Sequence, residues 1–141
     1  MKNLLFAALF FSTAMPDTSA QGTPDSIKAK RKILVHITNG PENATRAALG
    51  FLVARTAIEE GHEVNLFLAG DAVKLIQDSI LNTLTGLGTG KLRDHYDVIV
   101  KSKARFFLSG NSSKARGVTD TDIKDKPAEF ALPAVLVRLS V

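Results

Sequence analysis

Three short apolar segments, separated by longer segments of helical spacing, constrain the fold of this chain more than any other feature. They are ILVHIT at residues 33–38, EVNLFL at residues 63–68 and RFFL at residues 105–108. The first is almost continuously apolar and rich in β-branched side chains, which is typical of a strand buried on both faces in a parallel sheet. The alternation of such strands with helices predicts a three-layer α/β fold, with a mostly parallel sheet between flanking helices.

Apolar residues recur at helical spacing between the predicted strands. Asn43 can cap the first helix, and Gly61 follows it where a helix end favours a left-handed residue. The predicted helices are residues 43–60, a second that Asp71 caps and that extends to about residue 84, a third at residues 91–102, a short one after the capping-box pair Thr119 and Asp122, and a last one from Pro133. The β-branched residues of the third and last helices also allow strands there. GLGTG at residues 86–90 follows a helix rather than a strand, so we interpret it as a flexible connector and not as a phosphate-binding loop.

The first twenty residues have the layout of a secretory signal peptide: a cationic start, an apolar run, and small residues at positions 18–20. The apolar run is shorter than the ~20 residues that a membrane span needs. We therefore predict a signal peptide at residues 1–20, an exposed linker at residues 21–32 and one domain at residues 33–141, in a periplasmic or secreted protein without a stable membrane span. A buried N-terminal helix or an uncleaved anchor is the alternative.

Charge and composition exclude several classes of function. The net charge is +4, but residues 33–141 carry only +1, since the cluster KAKRK lies before them. A nucleic-acid-binding domain has its basic surface on the folded body, so we predict no nucleic-acid partner. The chain has no cysteine, which excludes disulfides, thiolate metal sites and persulfide carriers. We expect His36 in the core or a pocket, and His62 and His95 at the surface; they lack the close pairing of a zinc site, and we predict no metal or other cofactor.

Ligands of parallel α/β sheets bind beyond the carboxyl ends of the strands, where three turns of this chain are expected to converge. The turns are residues 39–46, 69–71 and 109–117. Residues 101–116 include five cations and no acid, and the first turn of the first helix adds another cation, so we predict that a small anion binds here. A solvated cationic rim is the alternative. The candidate ligand-binding residues are Asn39, Gly40, Arg46, Ser109, Asn111, Ser112, Lys114 and Arg116.

Three longer segments follow one another in a recognisable order: HITNGPENATRAALGFLVARTAIEEGHEVNLFLAGDAVKL, LSGNSSKARGVTDTDI and PAEFALPAVLVRL. Together they resemble the DsrE/DsrF-like family, from about Lys32 to the C-terminus. The resemblance implies a DsrE-like fold of flavodoxin-like topology and a homo-oligomer, a trimer or a hexamer. In the family one more strand follows the helix that matches residues 133–139. A chain ending at Val141 would lack that strand, and we expect oligomerisation to cover the exposed edge.

The resemblance also implies a chemistry, because family members carry sulfur as a persulfide on a loop cysteine. The cysteines of a C-x-x-C-type loop correspond to Ser109 and Ser112 here, and a serine hydroxyl cannot hold a persulfide sulfur. We therefore predict an exported, non-catalytic DsrE-like domain, a small-anion-binding or accessory protein related to sulfur metabolism. Two alternatives stay open: a sulfur-transfer or hydrolytic enzyme that works without its own thiol, with Lys114 as a candidate base, and a structural subunit of an oligomer.

Overall fold

The structure, a computed structural model, describes residues 29–141. The predicted signal peptide and most of the predicted linker therefore lie outside the described residues. The remaining residues of the linker, from Ala29, are exposed and lead directly into the first strand.

A four-stranded parallel sheet forms the centre of the described part of the chain. Its strands are β1 (Lys32–Ile37), β2 (Glu63–Leu68), β5 (Arg105–Ser109) and β6 (Ala128–Ala131), and a separate hairpin pairs β3 (Thr85–Gly86) with β4 (Gly90–Lys91). The first three sheet strands were predicted from their apolar runs and are confirmed. β6 was not predicted, because its sequence AEFA is short and half of its residues are alanine.

Within residues 29–141, six α-helices and two 3₁₀ segments connect or flank these strands. The helices are α1 (Ala44–Glu59), α2 (Asp78–Leu81), α3 (Leu92–Lys101), α4 (Gly110–Arg116), α5 (Asp120–Ile123) and α6 (Pro133–Leu139), and the 3₁₀ segments are Pro41–Asn43 and Gly70–Ile76. The Asn43 side chain caps α1 by accepting a hydrogen bond from the backbone N–H of Arg46, and Gly61 has a φ of +89° after its end, as expected. Thr119 and Asp122 form the predicted capping box of α5.

The strand order β1-β2-β5-β6 follows the chain without reversal. Right-handed crossovers that all proceed in one direction place their helices on one face of the sheet. On that face Leu66 and Phe106 are fully buried, together with Phe51 of α1 and Ile99 of α3. This order differs from the flavodoxin-like order, in which the first strand lies inside the sheet.

The opposite face of the sheet is covered by α6, which is only seven residues long. Phe67 and Phe107 are buried beneath Val135, Leu136 and Leu139 of this helix. His36 also belongs to this face and is exposed, with its ring edge against Phe67, so the expectation that His36 lies in the core or a pocket was wrong. The described residues thus form three layers: the helices on one face, the sheet, and the short α6 on the other face. No helix among these residues has the length and apolarity needed to cross a membrane.

Three predictions for residues 70–91 were wrong in detail. The second helix is a 3₁₀ segment followed by the short α2, because Gln77 has an extended ψ of 132° between them. Asp71 does not cap it, since its carboxylate pairs with Arg116 instead. GLGTG is not a loose connector: Gly88 and Gly90 have φ values of +72° and +81° and turn the chain into the β3–β4 hairpin.

Candidate functional site

The three turns that were expected to converge do contact one another at the carboxyl edge of the sheet. The backbone N–H of Ala72 donates to the carbonyl of Thr38 at 3.3 Å, which joins the turn after β2 to the turn after β1. Gly40 packs so closely on the same turn that a Cβ atom there would lie 2.3 Å from the carbonyl oxygen of Asp71. The first two turns therefore form one compact unit, onto which the segment after β5 packs.

The segment after β5 is a helix and not a loop, which corrects the sequence prediction for residues 109–117. Ser109 is the N-cap of α4, and its Oγ accepts a long hydrogen bond of 3.4 Å from the backbone N–H of Ser112. Gly117 follows the helix with a left-handed φ of +67°. Serine before a helix and glycine after it are the residues that favour these two ends, so the local sequence accounts for α4.

One face of α4 is bound to the turn after β2. The hydroxyl of Ser112 accepts a hydrogen bond from the backbone N–H of Gly70 at 3.0 Å. One turn later, Nε of Arg116 donates to Oδ1 of Asp71 at 2.8 Å, and Nζ of Lys74 lies 3.3 Å from the same oxygen. Hydrogen bonds from Arg116 and then Lys74 hold the pKa of Asp71 below its ordinary value of 3.8. This face is therefore occupied by contacts within the protein.

The other face of α4 borders an open groove of about 470 Å³. The residues that line the groove are Gly110, Ser113, Lys114 and Gly117 of α4 and its end, Val118, Thr119 and Asp120 after it, and Phe130 of β6. Ser113 is only 2% exposed, and its Oγ has no hydrogen-bond partner among the described residues. Lys114 is exposed and has no ion-pair partner within residues 29–141. The groove lining thus combines a free cation, the apolar side chains of Val118 and Phe130, and a serine whose hydroxyl is buried and unpaired.

The structure separates the predicted candidate residues. Ser109, Ser112 and Arg116 are held on the first face of α4, whereas Lys114 lies at the groove. Gly40 is buried. Among the remaining candidates Asn39 is half-buried, and Arg46 and Asn111 are exposed, with no side-chain hydrogen bond within the described residues.

The five cations of residues 101–116 do not form one group. Lys103 and Arg105 lie at the amino ends of the strands, at the opposite edge of the sheet from α4, and line a different groove together with Lys30. Arg105 is paired there with Glu129 at 2.8 Å. The sequence suggested one cationic surface because these five cations lie close together along the chain, but β5 separates them and places them at two ends of the sheet.

Sequence reasoning missed three residues of this region: Asp71 as the partner of Arg116, Ser113 as a buried polar residue, and Phe130 on an unpredicted strand. The spacing of residues 110, 113, 114 and 117 would have indicated one helix face, if the segment had been recognised as a helix. His95 was also placed wrongly at the surface. It is 5% exposed, and its Nε2 lies 2.7 Å from the carbonyl oxygen of Thr89 in the hairpin.

The arrangement offers little for nucleophilic catalysis. The oxygens of Ser109 and Ser112 accept hydrogen bonds from backbone N–H groups, and no hydrogen bond joins either of them to Lys114 in the described part of the chain. A serine nucleophile needs an adjacent base within hydrogen-bond reach. Within residues 29–141 no cluster of three histidine or carboxylate side chains could hold a metal ion either.

Comparison with known proteins identifies the family. The crystal structure of the YchN protein from E. coli is similar over 79% of this chain and 91% of that chain, with a TM-score of 0.61 and 17% sequence identity, which establishes a shared fold. A comparison with curated proteins found no match. The model of the DsrE/DsrF-like family matches residues 31–139, which are nearly all of the residues described here. The chain therefore belongs to the DsrE/DsrF-like family.

Proposed function

We propose that this protein is a non-catalytic DsrE-like domain that acts by binding, as an accessory protein related to sulfur metabolism. The observation that carries the proposal is that the hydroxyls of Ser109 and Ser112 both make hydrogen bonds within the protein. These residues stand where the sequence resemblance places the sulfur-carrying cysteines, and their hydroxyls cap α4 and attach it to Gly70. The family scaffold is thus kept while the thiol is missing, which leaves binding rather than sulfur transfer.

Sulfur loading tests this role directly. The protein is incubated with a persulfide donor, desalted and treated with cyanide, and the released thiocyanate is measured. We expect none from the protein as it stands, because an oxygen nucleophile forms no persulfide. The variants Ser109→Cys and Ser112→Cys are the matched positive controls, since each places one thiol on the same helix. Stoichiometric protein-bound sulfane sulfur in the cysteine-free chain would exclude the proposal.

We propose further that the ligand is a small anion that contacts Lys114. Of the cations at the carboxyl edge, Lys74 and Arg116 share the carboxylate of Asp71, while Lys114 and Arg46 have no ion-pair partner in the described residues. Of these two, Lys114 lines the groove. Calorimetric titrations with sulfate, thiosulfate, sulfite and phosphate test this binding. We expect Lys114→Ala to weaken it and Lys101→Ala, at the far edge of the sheet, to leave it unchanged. Equal affinity of the two variants would remove Lys114 from the site.

Export is the third part of the proposal. The layout of residues 1–20 supports a cleaved signal peptide, which would give a mature chain that begins at Gln21 in the periplasm or outside the cell. Intact-mass measurement on the protein from fractionated cells tests this expectation. Recovery of a chain with Met1 from the cytoplasmic fraction would contradict it.

A structural role in an oligomer is the second candidate, and exposed apolar side chains favour it. Leu49 and Val53 lie one turn apart on α1 and are 45% and 49% exposed, and Leu132 and Val137 at α6 are 67% and 62% exposed. Patches of this kind often mark interfaces. Light scattering should show a homo-oligomer, a trimer or larger. The variants Val53→Glu and Leu132→Glu test the two patches separately, and a monomer at all concentrations would exclude this role.

A further inference from the structure

The groove between α4 and β6 has features that an inorganic anion would not use. Its volume of about 470 Å³ falls in the range of about 300 to 1,000 Å³ that is typical of small-molecule sites. We propose that it binds a small organic monoanion, a molecule with an apolar body and one anionic head group. This inference rests on the proposed anion contact with Lys114 and names the ligand class.

The Ser113 hydroxyl is the first observation that points to a ligand. Nearly all buried polar groups in native proteins have a hydrogen-bond partner, so an exception calls for an explanation. A serine inside a helix usually turns its hydroxyl toward the carbonyl one turn earlier, yet Ser113 Oγ makes no such bond. Ser113 also lines the groove, and its Oγ lies beneath the groove surface, so a rotation about χ1 would let this hydroxyl donate to a bound acceptor.

The charges on the lining favour a head group with a single negative charge over one with several. Lys114 supplies one ammonium group at the groove, and Asp120 supplies a carboxylate on the same lining. A polyanion would gain from the first and be repelled by the second, whereas a monoanion can contact Lys114 at a distance from Asp120.

The opposite wall accounts for the apolar body. Val118 is 4% exposed and packs into the main core, so its position is fixed, and Phe130 of the edge strand remains 36% exposed. A ligand that covers the Phe130 ring removes apolar surface from water, which is the main source of affinity in such grooves. An ion without an apolar part gains nothing from this wall.

The test compares four probes by calorimetric titration: 3-phenylpropionate, its neutral amide, acetate and sulfate. We expect 3-phenylpropionate to bind in the millimolar range or tighter, and more tightly than each of the other three. If sulfate binds through Lys114 and 3-phenylpropionate binds no better, the proposed anion contact stands and the ligand class is wrong. If no probe binds, both proposals fail.

Two variants locate the binding. Lys114→Met keeps the apolar stem and removes the charge, and we expect about fivefold weaker binding of 3-phenylpropionate, with no change for the matched control Lys101→Met. Ser113→Ala should weaken binding about threefold to tenfold, because one hydrogen bond to the ligand is lost.

Protein stability separates a ligand-directed hydroxyl from a structural one. Removing a buried hydroxyl that has no partner should leave the melting temperature unchanged or raise it. Weaker binding together with equal or higher stability of Ser113→Ala supports the proposal. Lower stability with unchanged affinity would show that the hydroxyl serves the fold, and would overturn it.

Discussion

The contact between Ser112 and Gly70 should make a measurable contribution to stability, and Ser112→Ala is the change that tests it. The substitution removes the acceptor of the Gly70 N–H, a bond of 3.0 Å that joins residues 42 positions apart. The net loss of such a bond costs about 1 kcal/mol, rising to about 3 kcal/mol where the donor cannot reach water. Since both groups are only partly buried, we expect about 1 kcal/mol. That loss should lower the melting temperature by about 4 °C in a domain of this size.

Urea unfolding followed by circular dichroism measures the free-energy change, provided that the slope against denaturant stays the same. Asn111→Ala is the matched control, because Asn111 is exposed on the same helix and should change stability by less than about 0.5 kcal/mol. If Ser112→Ala unfolds at the same urea concentration as the control, the hydroxyl does not hold α4 on the turn after β2. Ser112, at the family's cysteine position, would then have no structural role in attaching α4.

Three further changes probe the same region and the hairpin. The pKa of Asp71 is lower in the folded protein than its ordinary value of 3.8, so its ion pair with Arg116 stabilises the protein fully above pH 3.8. This contribution is lost as the pH falls through the lowered pKa of Asp71 in the folded protein. Asp71→Asn should therefore be less stable than the unchanged protein at pH 6 and equally stable in strong acid, as measured by thermal unfolding; a pH-independent difference would contradict this. Gly40→Ala should destabilise the fold by more than about 1 kcal/mol, since its Cβ would meet the backbone of Asp71, and unchanged urea unfolding would refute that contact. His95→Leu should raise amide exchange in β3 and β4, because the bond to Thr89 is lost, and equal exchange rates would show that the hairpin does not depend on it.

The main elements of this fold could be predicted because their residues carry the information locally. The apolar runs of β1, β2 and β5 identify strands without reference to the rest of the chain, and Asn43 with Gly61 fixes both ends of α1. β6 has no such pattern. Ala128 and Ala131 are small, and the strand exists because the edge of β5 is there to pair with it.

The sequence predicted where the candidate site lies but not which of its residues contact one another. Convergence at the carboxyl edge follows from the topology of any parallel sheet, and the sequence sufficed for that. The pairing of Arg116 with Asp71 links residues 45 positions apart, and nothing near either residue indicates the other. A local pattern does exist for α4, a serine before it and a glycine after it, but the polar residues between them favoured a loop.

Because α4 has two separate faces, the absence of cysteine on one face leaves the side chains of the other face unchanged. Residues four positions apart lie on the same side of a helix, so Ser112 and Arg116 both point to the turn after β2. Lys114 stands halfway between them in sequence and therefore faces away, toward the groove. Substituting the thiol positions changes the first face only. The groove face keeps its cation, its buried hydroxyl and its aromatic wall, so the binding function proposed for that face would be independent of sulfur chemistry at the other.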